Sequence, residues 1–204
     1  MPLTIKPSSG SGSVTLAATT GTTTNDTLTL PAKTGNIITS ADSGTVTQTM
    51  LSTNVAGNGP AFSAYANASQ TVSSNVFTKI SLQVKDFDTA SAFDNTTNYR
   101  FQPSTAGYYQ VNGQLLLVGT VSTTQGIVAL YKNGSIYSRL TDLNPSAALS
   151  SNSSVTINGS TLIYLNGTDY IELYGYYYLG TSTFSQAGSS SITSRFSGSL
   201  VRSA

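Results

Sequence analysis

Asp86 and Asp88 stand two apart in the stretch VKDFDTASAFD, with Lys85 beside them and Asp94 following shortly. On a strand, residues two apart share a face, so the spacing predicts neighbouring carboxylates. Such a pair could hydrolyse a glycoside if the carboxyls flanked the bond at about 5–10 Å, or give oxygens to a hard cation. Acid–base work also needs the two pKa values pushed apart, and no neighbour in this stretch does so. Asp86 and Asp88 are therefore the only metal or catalytic candidates, and solvated turn carboxylates are the reading that best fits them. Asp169 is expected to brace its own turn through backbone hydrogen bonds.

The other reactive groups are fewer still. The sequence has no His and no Cys. The first absence removes the commonest general base and transition-metal ligand, and the second removes disulfides and thiolate chemistry. Runs such as Ser150-Ser151-Asn152-Ser153-Ser154 and Ser189-Ser190-Ser191 offer hydroxyls, but a nucleophile must be activated by a base within hydrogen-bond reach. The composition points to binding or building before catalysis. The protein is expected not to be an enzyme and to use no cofactor.

Across the 204 residues, charged side chains make up only 8%, against about 25% in ordinary domains. Ser, Thr, Asn and Gly take their place, and Thr, Val and Tyr favour pleated structure. A net charge of +1 gives no clustered attraction for nucleic acid or anionic lipid. No apolar run approaches the roughly 18 residues of a spanning helix, so membrane insertion is not expected. The N-terminus lacks a basic region followed by an apolar block, so it does not read as a secretory signal.

Strand signals run through most of the chain. Residues 1–58 carry short pairs, Val14 with Leu16 and Leu28 with Leu30, then Ile37 and Ile38 after a turn at Lys33-Thr34-Gly35. These pieces are too small to enclose a core. They fit either a flexible Ser/Thr/Gly linker or a stem that pairs with copies from other chains. Residues 40–60 read as a connector closed by Gly57, Gly59 and Pro60, with the domain boundary at about residue 58.

Residues 59–204 then give eight or nine strands at short spacing, with Asn-Gly turns expected at Asn133-Gly134, Asn158-Gly159 and Asn166-Gly167. In the stretch after Phe101, Pro103 and Gly107, the residues Tyr109, Val111, Leu115 and Leu117 share one face at period two. No helical periodicity is sustained, and an all-β sandwich of two sheets is the expected architecture. At 170–179, Ile171, Leu173, Gly175, Tyr177 and Leu179 form a core face. Tyr170, Glu172, Tyr174, Tyr176 and Tyr178 form the other, too aromatic for a plain solvent face. A subunit interface is the expected use of these tyrosines. A covering loop or a carbohydrate-stacking platform would also account for them.

Several of these patterns occur together in one known family. Ala61-Phe62-Ser63-Ala64-Tyr65, Phe93-Asp94, Phe101, Pro103, Gly107-Tyr108-Tyr109-Gln110-Val111, Lys132-Asn133-Gly134, Leu165-Asn166-Gly167-Thr168-Asp169-Tyr170-Ile171-Glu172-Leu173 and Phe196-Ser197-Gly198-Ser199-Leu200 resemble, in order, the globular-head domain of complement component one-q. That family shares a jelly roll with tumour necrosis factor. Thr168 is an insertion relative to the family pattern. The resemblance spans about residues 60–202 and implies a TNF-like jelly-roll head that assembles as a homotrimer. The TLTLPAKTG stretch at 27–35 is similar to Thr-rich segments ahead of such heads in bacteriophage fibres.

Together the two resemblances imply a virion structural protein, a trimeric head or tail fibre on the virion surface. Residues 1–58 would attach to a capsid, portal or tail protein, and the head would meet a host surface glycan. The loops Asn67–Asn75, Asn144–Asn152 and Gly180–Ser190 are candidate recognition loops, although no residue in them can be singled out. A secreted bacterial adhesin and a tailspike-like glycan hydrolase are the competing expectations.

Overall fold

The computed structural model describes residues 3–5, 14–16, 57–118, 125–144, 154–178, 184–186 and 193–204. The chain divides into two units, Met1–Asp42 and Ser43–Ala204. In the first, β1 (Leu3–Ile5) pairs antiparallel with β2 (Val14–Leu16), so the Val14–Leu16 signal finds its partner within its own chain. The expected signals at Leu28–Leu30 and Ile37–Ile38, and most of the 40–60 connector, lie outside the described residues.

The second unit is all-β among its described residues. Its strands are β3 (Ala61–Tyr65), β4 (Gln70–Val72), β5 (Thr78–Lys79), β6 (Val84–Asp88), β7 (Phe93–Asp94), β8 (Arg100–Phe101) and β9 (Gly107–Val118). They continue as β10 (Gln125–Lys132), β11 (Ser135–Leu143), β12 (Ser154–Leu165), β13 (Ile171–Tyr178), β14 (Phe184–Gln186) and β15 (Arg195–Ser203). One sheet runs β4-β14-β9-β15-β3-β6, with β12 on the other side of β9. The second runs β11-β10-β13-β8-β7, with β5 also on β13. Every pairing among these strands is antiparallel.

Period-two alternation builds the layer between the sheets. Tyr109, Val111, Leu115 and Leu117 of β9 are buried together, as are Ile171, Leu173 and Tyr177 of β13. The sheets are joined at one end by aromatic rings. Phe62 of β3 stacks on Phe101 of β8 at 4.2 Å between centroids and on Phe93 of β7 at 5.1 Å, while Phe196 of β15 meets it edge-on at 5.0 Å. Tyr109 closes the group edge-on to Phe101, and its buried hydroxyl donates to the Thr105 carbonyl at 2.8 Å. Burying each such ring contributes about 1.5–3 kcal/mol.

Two of the three Asn-Gly dipeptides behave as expected. Asn133 and Gly134 both take positive φ, 51° and 78°, the geometry of a tight hairpin between β10 and β11. At Asn166-Gly167, the Asn166 side chain accepts from the amides of Thr168 and Asp169.

Asn158-Gly159 is not a turn. It lies inside β12, where Gly159 is paired directly with Gly113 of β9. The physical reason is steric. A Cβ on Gly159 would strike the backbone carbonyl of Leu140, so the residue is Gly to let β11 approach β12. β4 and β14, three residues each, fall inside two of the expected loops.

Gly159→Ala should therefore lower stability by about 1–3 kcal/mol through overpacking. Asn158→Ala, at an exposed position, should stay within about 0.5 kcal/mol of the parent. Urea unfolding curves of the two variants make the comparison.

Candidate functional site

Asp86 and Asp88 both lie on β6, but a bulge opposite Ser63 and Ala64 breaks their shared register. Asp88 stands opposite Phe62 and accepts from the amides of Ala92 and Phe93, at 3.0 Å each, and from Lys85 Nζ at 3.2 Å. Asp86 turns instead to Arg195 of β15, with which it forms an ion pair, and to the Ser63 hydroxyl at 3.0 Å. The predicted side-by-side pair is thus split between two unrelated networks, because the extra residue of a bulge re-aims the side chains next to it.

Asp94 serves its own loop. It accepts from the amides of Thr96, Thr97 and Asn98. Asp169 accepts from the Asn166 amide, the Asn133 side chain and Lys132. Among the described residues no three acidic, His or Cys side chains gather where a metal ion could sit.

The tyrosine face of β13 is the second candidate. It does point away from the core, but it is not bare. Tyr174 stacks on Tyr131 of β10 at 3.7 Å and 18°. Tyr176 packs on Phe77 at 4.8 Å and donates to Asn75 Oδ1 at 3.2 Å. The Arg100 guanidinium lies over the Tyr170 ring at 4.3 Å. Tyr178 is about half exposed. Glu172, on the same face, is only 3% exposed and takes Lys79 Nζ at 2.6 Å.

Phe77 also lies 6.0 Å from Tyr131 and 5.8 Å from the Arg139 guanidinium. That position sets it above Ala129, which pairs with Arg139 on one side and Tyr174 on the other. Ala129 and Ile127 are buried yet stand apart from the main core. The segment before β5 thus roofs a small second apolar cluster on this face.

A third surface was not singled out by the sequence. Tyr108, Leu162, Tyr164 and Val201 are 42%, 52%, 41% and 49% exposed, and all four lie on the outward face at one end of the β12-β9-β15 sheet. Tyr108 and Tyr164 are cross-strand partners with rings 5.4 Å apart. With Arg202, Ser203 and Ala204 they line a shallow depression of about 600 Å³. Farther up the same face the outward residues turn polar: Asn112, Gln114, Asn158 and Ser160. The available signal was Tyr108 alternating with buried Tyr109 in the Gly107-Tyr108-Tyr109 motif. It becomes a patch only when β12 is placed alongside. Of the expected recognition loops, Asn67–Asn75 contains β4, while Asn144–Asn152 and Gly180–Ser190 lie mostly outside the described residues.

No protein-family model matches the chain, and no curated protein does. Solved structures are similar to it. The Eiger TNF from S. frugiperda aligns with a TM-score of 0.50 at 13% identity, over 71% of this chain and 92% of its own. The globular domain of zebrafish complement 1qA aligns at 0.46 and 16%, over 71% and 99%. Murine APRIL aligns at 0.48 and 12%, over 70% and 98%. The Eiger likeness, with the two-sheet topology, shows the fold: a TNF-like jelly-roll sandwich.

The loop carboxylates set the behaviour in acid. Amide bonds from Thr97 and Thr96, joined by the Asn98 and Thr96 side chains, hold Asp94 far below the ordinary carboxylate range. The hydrogen bond from Lys132 lowers Asp169 as well. For Asp142, burial pushes upward, but bonds from Gln125 and Arg139 bring it below its usual value. Depressed folded values stabilise above the unfolded pKa of about 3.9, and the contribution fades as pH falls below that. The melting temperature should therefore stay level from about pH 7 to 5 and drop between about pH 4 and 2. Asp94→Ala should cost about 1–2 kcal/mol at pH 7 and make the acid slope shallower. Thermal melts followed by circular dichroism at each pH measure both.

Proposed function

We propose that this chain is a trimeric binding head with an attachment segment, a structural protein of a bacteriophage appendage. The observation that carries the trimer is the exposed patch of Tyr108, Leu162, Tyr164 and Val201. Contiguous apolar surface rimmed by polar groups marks an interaction site. Tyrosine suits a subunit contact, with a large ring and a hydroxyl that still finds a partner. We place the threefold contact here and not on Tyr170, Tyr174, Tyr176 and Tyr178, because Arg100, Tyr131 and Phe77 of the same chain already engage three of those rings.

The jelly-roll fold supports a head of this kind. The virion assignment is supported by the sequence of residues 27–35, with residues 1–58 attaching to a capsid, portal or tail protein. The head then works by repetition: three weak sites per trimer and many trimers per particle raise avidity through effective concentration. Asp86 and Asp88, each bonded within its own network, are given no part in this.

Light scattering should give the chain a mass about three times 21.2 kDa. Tyr164→Arg or Leu162→Arg should reduce it to a folded species of 21.2 kDa. A monomeric parent chain would overturn the trimer. Immunogold electron microscopy of the parent particle, with antibody against residues 59–204, should label its surface, and an unlabelled particle would overturn the appendage reading.

A further inference from the structure

The outward face of the second sheet carries unused chemistry. In register, Asp94 of β7, Arg100 of β8, Glu172 of β13 and Tyr131 of β10 form one row across the strands. Lys79, Tyr174, Ala129 and Arg139 form the next. Glu172 is buried and its carboxylate is taken by Lys79, while Asp142 is taken by Arg139 and Gln125. The three cations of this face, Lys79, Arg100 and Arg139, are equalled in number by its carboxylates Asp94, Glu172 and Asp142, but Asp94 gives its oxygens to the amides of Thr96, Thr97 and Asn98 and not to Arg100.

Arg100 is the cation of this face outside any ion pair. Among the described residues the ion pairs engage Lys79, Lys85, Lys132, Arg139 and Arg195, and no carboxylate or other acceptor holds the Arg100 guanidinium. It rests on the Tyr170 ring, which fixes its plane. Nearby, the stacked rings of Tyr131 and Tyr174 are half-buried. Among the described residues neither hydroxyl has a hydrogen-bond partner, although burial pushes both hydroxyls up and keeps them protonated donors.

We propose that this face, from Arg100 across to Tyr131 and Tyr174, binds an anionic saccharide. The guanidinium takes a carboxylate or phosphate in its planar fork. The tyrosine hydroxyls take sugar hydroxyls. Arg100 and Tyr131 are two strand spacings apart, about 10 Å, the reach of two linked sugar rings. Nucleic acid does not fit, because it calls for a stripe of cations along a backbone and this face offers a single guanidinium outside an ion pair. The assignment deepens the binding-head reading and rests on it for its biological setting.

The test uses the full chain, whose tyrosine fluorescence is unobscured because it has no Trp. Digalacturonate, 3′-sialyllactose and glucose 1-phosphate are titrated as acidic probes, with lactose as the neutral control and hexaglutamate as the peptide control. At least one acidic saccharide should bind, with lactose and hexaglutamate weaker by about tenfold or more. Arg100→Gln should weaken that binding about tenfold or more, and Tyr131→Phe and Tyr174→Phe, which keep the rings, each about threefold to tenfold. Circular dichroism confirms that the variants fold.

No binding by any acidic saccharide, equal binding of lactose, hexaglutamate as the preferred ligand, or binding indifferent to Arg100→Gln in a folded variant would each overturn the site. Light scattering on the same samples separates the two readings. A trimer without the saccharide site overturns this proposal alone. A monomer with Arg100-dependent binding overturns the trimer and leaves the site standing.

Discussion

The cluster of Phe62, Phe93, Phe101, Phe196 and Tyr109 is the contact on which the sandwich depends. Its members come from five strands, β3, β7, β8, β15 and β9, three in one sheet and two in the other. β7 and β8 have two residues each and few ladder bonds, so their place at the sheet end is set by what their rings bury. The Pro103–Gly107 turn matters because it carries the chain from Phe101 in one sheet to Tyr109 in the other. That crossing is why the aromatic signature reads as one stretch of sequence.

Closing a two-layer sandwich leaves two outward faces, and this chain treats them differently. On the second sheet, Phe77 and the rings of Tyr131, Tyr174 and Tyr176 build an apolar cluster over Ile127 and Ala129, and Lys79 neutralises a buried Glu172. On the first, Tyr108, Leu162, Tyr164 and Val201 remain half exposed. An uncovered apolar patch on an otherwise amide- and hydroxyl-rich surface is unfavourable in water. Its removal by a like surface is the simplest remedy a symmetric assembly offers.

The few charges are spent on architecture. Asp94 and Asp169 fix turns, Asp88 holds the amides of Ala92 and Phe93, and Asp86 ties β6 to β15 through Arg195. In a surface maintained by neutral polar groups, each ion pair has a defined structural task. Among the described residues that leaves Arg100, stacked on Tyr170, and Arg202 outside the ion pairs.

Sequence alone determined the all-β class, the buried face of β9 and of β13, the hairpin at Asn133-Gly134 and the brace at Asp169, because each is local: a period of two, a dipeptide that tolerates positive φ, a carboxylate beside free amides. It could not decide Asn158-Gly159, since the same dipeptide that makes a turn also makes a gap where Leu140 must approach. Nor could it see that a bulge parts Asp86 from Asp88, or that three-residue strands lie at 70–72 and 184–186, whose pairing comes from distant partners. Alternation says which residues share a face; only packing says whether that face is covered. That is why one row of tyrosines is roofed by Phe77, while Tyr108 and Tyr164, spelled with the same letters, stand open.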